Sequence, residues 1–343
     1  MLGPRHWIRL GLTLFLFAAA PGRADAGLPI AVAAPDATHI AWISVQRLGE
    51  FARERGVELA PALASSAGQS VDAAALKVVP VREIARTLPE LSALELPFFY
   101  SDLPAVHRAL DGEFGAALKS SARERGWELL AVWDEGLQLM SGNIAYTDPF
   151  HLRGAEFVLL REDPIAEIEL RALDSWSRSA RPDSLIQLQK ECLVSSRSAS
   201  AQQMVRERLA RVHLDVTLSR HHYEGWAVAM PVAAWAALKP SQRDGISAAL
   251  RALAGWQRDR ALEEEQAALR ALVKDGMTTH PLAAETWQRY RAMQPDWERF
   301  LPAGVQPDLW RRLVMLAAGA SSIGAHLVPR VGTPPRETNP RTP

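Results

Sequence analysis

The sequence predicts an α/β protein with two lobes and a helical carboxy-terminal region. The chain has 343 residues, which exceeds the ~250–300 at which a single hydrophobic core usually stops growing, so two lobes are expected. Apolar runs with the length of strands alternate with segments of helical periodicity, which is the pattern of an α/β fold. The 39 basic residues balance the 39 acidic ones, and no basic stripe is visible, so we predict no nucleic-acid partner.

The first 26 residues are predicted to be a secretory signal peptide. Two arginines precede an apolar run at 10–20, and a small-x-small cleavage site follows at 24–26. The run is shorter than the ~20 residues of a membrane-spanning helix. The mature protein is therefore expected to begin near Gly27 and to be located in the periplasm. Cys192, the single cysteine of the chain, excludes an intramolecular disulfide and is interpreted as a small buried hydrophobe.

The segments after the leader predict alternating strands and helices. Strands are expected at 39–45 and 57–63, around a short helix at 49–56. The stretches LELPFFYSD (94–102) and ELLAVWDEGLQLMSGN (128–143) are apolar runs that end in small, polar or charged residues. Each is predicted to be a strand that delivers a loop to the edge of the sheet, where α/β proteins place ligands.

The remaining segments predict further strands and a helical carboxy-terminal third. Apolar spacing predicts one helix over 102–126, and an apolar stripe predicts another from Pro240 to Gly276. Its acidic run 263–265 belongs to a solvated face, because adjacent carboxylates diverge around a helix. The polar, Pro-rich segment 325–343 is predicted to be disordered. Strands are expected at 127–133, 155–160, 213–219 and 226–230.

Four stretches, taken in order, resemble the solute-binding proteins of TRAP transporters, the DctP family. They are LELPFFYSDLPAVHRALDGEFG, LLAVWDEGLQLMSGN, DPFHLRGAEF and GWAVAMPVAAWAALKPSQRDGISAALRAL, and the resemblance extends over residues 40–320. It implies a two-lobe α/β fold like that of periplasmic binding proteins, with a cleft between the lobes. Lobe I would comprise 27–135 with part of 220–260, and lobe II would comprise 136–220 with the carboxy-terminal helices.

The same resemblance shows where this chain departs from the family. Typical members hold an organic acid with arginines, whose guanidinium fork matches a carboxylate. Gln138 stands where sialic-acid-binding members carry an arginine, and Val158 stands where the family normally has its carboxylate clamp. Arg161 lies three residues further along the strand, on the opposite face unless the register shifts. In a loosely matched stretch, Arg197 or Ser198 takes the ligand-facing position, and Arg197 is the one cation near the site that the resemblance offers.

The departures predict a neutral or hydrophobic ligand rather than a dicarboxylate. The expected lining is aromatic, from Phe99, Trp133, Trp176, Tyr223 and Trp226, although a plain core position is the alternative for each. The expected partners are a small-molecule ligand and TRAP membrane subunits. The alternative is a degenerate binding protein that docks a periplasmic tetratricopeptide-repeat protein. The chain lacks H-E-x-x-H, G-x-S-x-G and a Gly-rich phosphate loop, so we predict no enzyme activity, cofactor or metal.

Overall fold

The computed structural model describes residues 27–64, 76–160, 163–181, 184–191 and 195–321. The predicted signal peptide, Arg161, Cys192 and the predicted Pro-rich tail lie outside these residues. Within the described segments, every helix is too short or too polar to cross a membrane.

The strands of the described chain form one mixed sheet in the order β2-β1-β3-β8-β4-β7-β5-β6, with β9 paired to β8. Their bounds are β1 (Leu28–Val32), β2 (Leu59–Leu63), β3 (Leu76–Pro80), β4 (Trp127–Gly142), β5 (Glu156–Leu159), β6 (Trp176–Ser179), β7 (Ser196–Ala199), β8 (Asp215–Pro231) and β9 (Thr278–Pro281).

Strands β4 and β8 are the elements that the two lobes share. They have 16 and 17 residues and pair antiparallel along most of their length. β3 pairs with the carboxy-terminal end of β8, whereas β7 pairs with the carboxy-terminal end of β4. We therefore call lobe I the part built on β1, β2, β3 and the adjoining halves of β4 and β8. Lobe II is the part built on β5, β6, β7 and the other halves.

The pairing of β4 with β8 is irregular where the lobes meet. One register shift falls between Asp134 and Gly136, and Gly136 has a φ of +150°, a conformation that residues with a side chain rarely adopt. Both backbone groups of Asp134 are bound by the side chain of Gln257, which donates to the carbonyl at 2.8 Å and accepts from the N–H at 3.0 Å. A side chain thus takes the place of a strand partner at this point.

Helices cover both faces of the sheet in each lobe. Their bounds are α1 (Ile40–Arg53), α2 (Val81–Ile84), α3 (Leu103–Asp111), α4 (Glu113–Glu124), α5 (Pro164–Ala172), α6 (Leu185–Lys190), α7 (Ala201–Arg206), α8 (Val232–Ala237), α9 (Pro240–Lys274), α10 (Ala284–Ala292) and α11 (Pro307–Ser321). Short 3₁₀ helices lie at Pro89–Glu95, Pro149–Leu152, Leu209–Arg211 and Trp297–Arg299. In lobe I, α3, α4 and α11 contribute to one apolar cluster, and α1 and α9 contribute to the other.

Two predicted strands are helical or irregular in the structure. Residues 39–45 are the cap and first turns of α1, because the Nδ1 atom of His39 accepts a hydrogen bond from the N–H of Ala41 at 3.2 Å and starts the helix. The buried residues of α1 then recur at helical spacing. Residues 94–102 contain the end of a 3₁₀ helix and a turn instead of a strand.

Other predicted boundaries also change. The single helix expected over 102–126 is two helices, α3 and α4, separated at Gly112. The strands expected at 213–219 and 226–230 are one continuous strand, β8. The helix expected from Pro240 is confirmed as α9, which ends at Lys274.

The carboxy-terminal helices are divided between the lobes. Trp310 and Leu313 of α11 are buried in a lobe I cluster, and Arg108 of α3 donates to the carbonyl of Ala320 at 3.0 Å. The prediction that places all of these helices in lobe II is therefore wrong for α11. Tyr290 of α10 packs in lobe II, and α9 contacts both α1 of lobe I and α7 of lobe II.

Candidate functional site

A small cavity of about 20 Å³ lies between the lobes. It has room for about one water molecule. Lobe I contributes α2, lobe II contributes β5, α5, β7 and α7, and the shared strands β4 and β8 complete the wall. The lining residues are Arg82, Gln138, Leu159, Leu160, Asp163, Ala166, Arg197, Ser198, Gln203 and Glu224.

Glu224 is the carboxylate at the centre of this lining. Its side chain is 3% exposed, and its Oε1 atom accepts from Arg82 Nη2 at 2.7 Å and from Gln138 Nε2 at 3.0 Å. Burial disfavours the charge of Arg82, but nearby carboxylates, chiefly Glu224 and Glu95, outweigh it and raise the pKa of the guanidinium. The Oε2 atom of Glu224 is buried without a hydrogen-bond partner among the described residues. The pair therefore retains one spare acceptor.

A chain of hydrogen bonds continues from Gln138 into lobe II. Ser198 Oγ donates to Gln138 Oε1 at 2.7 Å, so it accepts from His221 Nε2 at 2.7 Å. Burial, with help from the adjacent His222, lowers the pKa of His221 to about 3. His221 is therefore neutral at pH 7, and its Nδ1 atom accepts from Ser219 Oγ at 2.7 Å. The polar chain orients Gln138 toward Glu224.

The two other predicted contact positions in lobe II are engaged within the lobe. Arg197 forms a bidentate pair with Glu207, at 3.1 Å from Nε to Oε2 and 3.0 Å from Nη2 to Oε1. It also donates to the carbonyls of Ser198 and Val158. The Val158 side chain is fully buried in an apolar cluster with Leu160 and Leu185. Arg197 borders the cavity, and Val158 lies outside its lining.

The predicted aromatic residues lie outside the lining of this cavity. Phe99 and Tyr223 pack in one lobe I cluster, and Trp133 and Trp226 pack in the other. Trp133 also borders a groove of about 400 Å³ between α4 and α9. Trp176 is 48% exposed on β6, and it pairs with the first residue of β5, opposite to the strand end at the cavity. In this arrangement Phe99, Tyr223 and Trp226 have core positions, which is the alternative that the sequence predicts for each of them.

A second polar cluster joins the lobes around Glu135 of β4. Its Oε1 atom lies 3.0 Å from Nη2 of Arg206 on α7 and 3.4 Å from Nε2 of His39 before α1. Its Oε2 atom accepts from Nε1 of Trp226 at 3.0 Å. Burial opposes ionisation, but the contacts with His39 and Arg206 outweigh it and lower the pKa of Glu135 to about 2.

Sequence reasoning missed the charged residues on which these clusters depend, Arg82, Glu224, Glu135 and Arg206. The sequence does carry a signal for two of them, because a Glu-Gly pair interrupts each of the apolar runs that become β4 and β8. Both Glu-Gly pairs lie near the irregular part of the β4–β8 ladder, where Gly136 is opposite Glu224. Within the described residues, no group of His, Cys, Asp and Glu has the arrangement of a metal site.

The sequence profile of "Bacterial extracellular solute-binding protein, family 7", DctP, matches residues 69–302. The chain belongs to this family. This result confirms the predicted family. The C4-dicarboxylate-binding periplasmic protein DctP of Rhodobacter capsulatus is 28% identical over 181 residues, which are 53% of this chain and 54% of that protein. The family 7 chain thus spans about half the length of the curated relatives it matches.

Solved structures confirm the predicted two-lobe α/β fold of this family 7 protein. A TRAP periplasmic solute-binding protein from Ochrobactrum anthropi, with its carboxy terminus bound in its ligand-binding pocket, superposes with a TM-score of 0.78. It is 20% identical, and the match covers 87% of this chain and 96% of that one. A TRAP periplasmic solute-binding protein from Desulfovibrio salexigens with bound orotic acid gives a TM-score of 0.73 at 17% identity, covering 86% and 98%.

Proposed function

We propose that this protein is the periplasmic solute-binding component of a TRAP-type transport system and that its cleft takes a neutral, hydrogen-bonding solute. One observation carries the proposal. Among the residues that the structure describes, each arginine that lines the interlobe cavity is paired with a carboxylate of the protein itself, Arg82 with Glu224 and Arg197 with Glu207.

A solute carboxylate has an unfavourable environment in this cavity. It would lie beside Asp163 and beside the Oε2 atom of Glu224, which has no hydrogen-bond partner in the described part of the chain. Like charges at about 4 Å repel by about 4 kcal/mol at the effective dielectric constant of a partly buried site. A hydroxyl or amide group instead donates a hydrogen bond to that same atom. The relatives named for C4-dicarboxylates or solved with orotic acid would then differ from this protein in the charge of the solute.

The polar lining also favours one of the two ligand classes that the sequence allows, a neutral polar solute and a hydrophobic solute. A hydrophobic solute needs an apolar wall, but the lining of the cavity includes the polar residues Gln138, Ser198 and Gln203. Four of the five aromatic side chains that were expected to line it pack inside lobe I, and the fifth, Trp176, is exposed on β6 of lobe II. A neutral polar solute is therefore the preferred proposal, and a hydrophobic one is the alternative.

The proposed partners are the membrane subunits of the transporter, and the proposed location follows from the leader. Residues 1–26 direct export, so amino-terminal sequencing of protein from the periplasm should begin near Gly27. A sequence that begins at Met1, from protein in the membrane fraction, would contradict this part of the proposal.

A second candidate function is that of a degenerate binding protein that delivers no solute and instead binds another periplasmic protein, for example a tetratricopeptide-repeat protein. The observation that favours it is the size of the cavity, since about 20 Å³ holds one water and no larger molecule. In the transport reading, the lobes must separate to admit the solute. If the protein instead acts as an interaction partner, the lobes need not separate, and the arrangement in the structure is the functional one.

Native mass spectrometry of protein purified gently from its own periplasm tests the two functions. The proposal predicts a non-covalent adduct with the mass of a small neutral solute.

A ligand at about 100 times its dissociation constant stabilises the fold by about 2.7 kcal/mol, which a thermal-shift assay detects. Millimolar succinate, malate, fumarate and sialic acid should produce no shift. A concentration-dependent shift with any of these acids refutes a neutral-solute cleft. A stoichiometric protein partner without an adduct would support the second function.

A further inference from the structure

We infer that Glu224 sets the charge specificity of the cleft by occupying, with its own carboxylate, the guanidinium that a carboxylate solute would need. The inference rests on the proposed function, because it names the residue that excludes anions from the same site. The carboxylate of Glu224, on β8, thus takes the place of a bound anion, and the guanidinium of Arg82 binds it.

The contacts of the Glu224 carboxylate are those of a bound anion. Two donors converge on its Oε1 atom, Arg82 Nη2 at 2.7 Å and Gln138 Nε2 at 3.0 Å. These donors come from α2 of lobe I and from β4, and the carboxylate comes from β8, so three separate elements meet at one oxygen. Charge-assisted hydrogen bonds of this length are the strong class of protein hydrogen bonds.

Attachment to the chain makes this internal anion hard to displace. An intramolecular group acts at an effective concentration far above the millimolar range of a free solute. The Glu224 side chain is 3% exposed and that of Arg82 is 22% exposed, so little solvent is available to screen the pair. A free carboxylate therefore has to displace a buried, tethered competitor before it can reach Arg82.

Arg197, the other arginine in the described lining of the cavity, has its own partner. Arg197 is held by Glu207 through two hydrogen bonds and donates to two backbone carbonyls. Removal of Glu224 would thus leave Arg82 as the lining arginine that has lost its paired carboxylate, near Glu95 and Glu135, which also act on its charge.

The substitution Glu224→Ala offers a direct test, because it deletes a CH₂–COO⁻ group, which is the size of acetate. We expect the melting temperature of the variant to be about 5–8 °C below that of the parent protein, since the buried guanidinium of Arg82 loses the carboxylate that it bonds directly. Sodium acetate, at about ten times its dissociation constant, should raise it by about 2–3 °C in a saturable manner. Acetamide, which has the same shape without the charge, should give no such increase at matched ionic strength.

Two further variants identify the receptor and the specificity of the response. In the double variant Arg82→Gln, Glu224→Ala, the response to acetate should disappear. Glu90→Ala removes a comparable buried carboxylate, 4% exposed, that pairs with Arg125 at 2.7 Å elsewhere in lobe I. Its melting temperature should respond to acetate less than half as much, because Arg125 also bonds the carbonyl of Gly304.

The outcomes separate this inference from the proposed function. A response to acetamide equal to that with acetate, or an acetate response that survives Arg82→Gln, overturns the role of Glu224. An equal acetate response in Glu90→Ala does so as well. A shift of the unmodified protein with succinate refutes the proposed function itself. If Glu224→Ala is insoluble, the soluble yield after refolding in acetate, compared with acetamide, gives the same decision.

Discussion

Neutralising Glu135 should weaken the protein at neutral pH and remove much of its sensitivity to acid. Glu135 is 6% exposed, and its pKa is lowered from 4.5 to about 2. A depressed carboxyl pKa contributes stability above the unfolded-state value and loses it as the pH falls toward the folded-state value. One pKa unit is worth about 1.36 kcal/mol, so the charge of Glu135 contributes on the order of 3 kcal/mol at pH 7.

Thermal denaturation of Glu135→Gln between pH 7 and pH 3 measures this contribution. At pH 7 the melting temperature should fall by about 5–10 °C, and the difference from the parent should shrink as the pH drops from about 4.5 toward 2. Glu263→Gln, on the solvated face of α9 with a side chain that is 68% exposed, should change the melting temperature by less than about 1 °C. Equal melting temperatures of Glu135→Gln and the parent at pH 7, or an undiminished acid response of the variant, would refute the reasoning.

Three further predictions concern stability and are checked by chemical or thermal denaturation of purified variants. Val158→Arg places an unpaired charge in a fully buried apolar cluster and should lower the free energy of unfolding by at least about 3 kcal/mol. Leu214→Arg, at a position 63% exposed, should leave it unchanged, and equal effects of the two substitutions would contradict the burial of Val158. Gly115→Ala brings a Cβ atom to 1.9 Å from a backbone carbonyl oxygen of α3 and should lower the free energy of unfolding by about 2 kcal/mol or more. The Cβ atom of Gly255→Ala in α9 meets nothing within 4 Å, so this substitution should raise the free energy of unfolding by up to about 1 kcal/mol. The reverse order of stability would be inconsistent with the packing of α3 on α4. Tyr100→Phe removes a hydroxyl that is buried without a partner among the described residues, so the melting temperature should stay level or rise by about 1–3 °C; a fall would reveal a bond to that hydroxyl.

The sequence was sufficient for the fold class because that class depends on local patterns. The helix from Pro240 and the first half of β4 at 127–133 follow from period and length alone. Residues 39–45 were assigned wrongly because HIAWISV has the composition of a strand, and a buried histidine cap with tertiary packing on α9 decides for the helix. The prediction divides the single strand β8 in two because the polar residues His221, His222 and Glu224 interrupt its apolar pattern, although the structure buries them.

The site was predictable only in part because its decisive contacts join residues far apart in the chain. Gln138 and Arg197 were placed at the cavity by the resemblance. Their partners were not, since Arg82 and Glu224 are 142 residues apart and nothing local marks them as a pair. Whether an arginine is open to a ligand depends on such a partner, and the sequence alone does not reveal it.

Helix α9 limits how the lobes can move. Its 35 residues span about 52 Å at ~1.5 Å per residue, and it contacts α1 in one lobe and α7 in the other. Gln257 of this helix is bonded to Asp134 of β4, and Glu265 pairs with Arg220 of β8 at 3.1 Å. An α-helix does not lengthen without breaking its hydrogen bonds, so the backs of the lobes stay at a fixed spacing. When β4 and β8 rotate slightly about their contacts with α9, the displacement of a residue increases with its distance from this helix. The loops farthest from α9 therefore move the most.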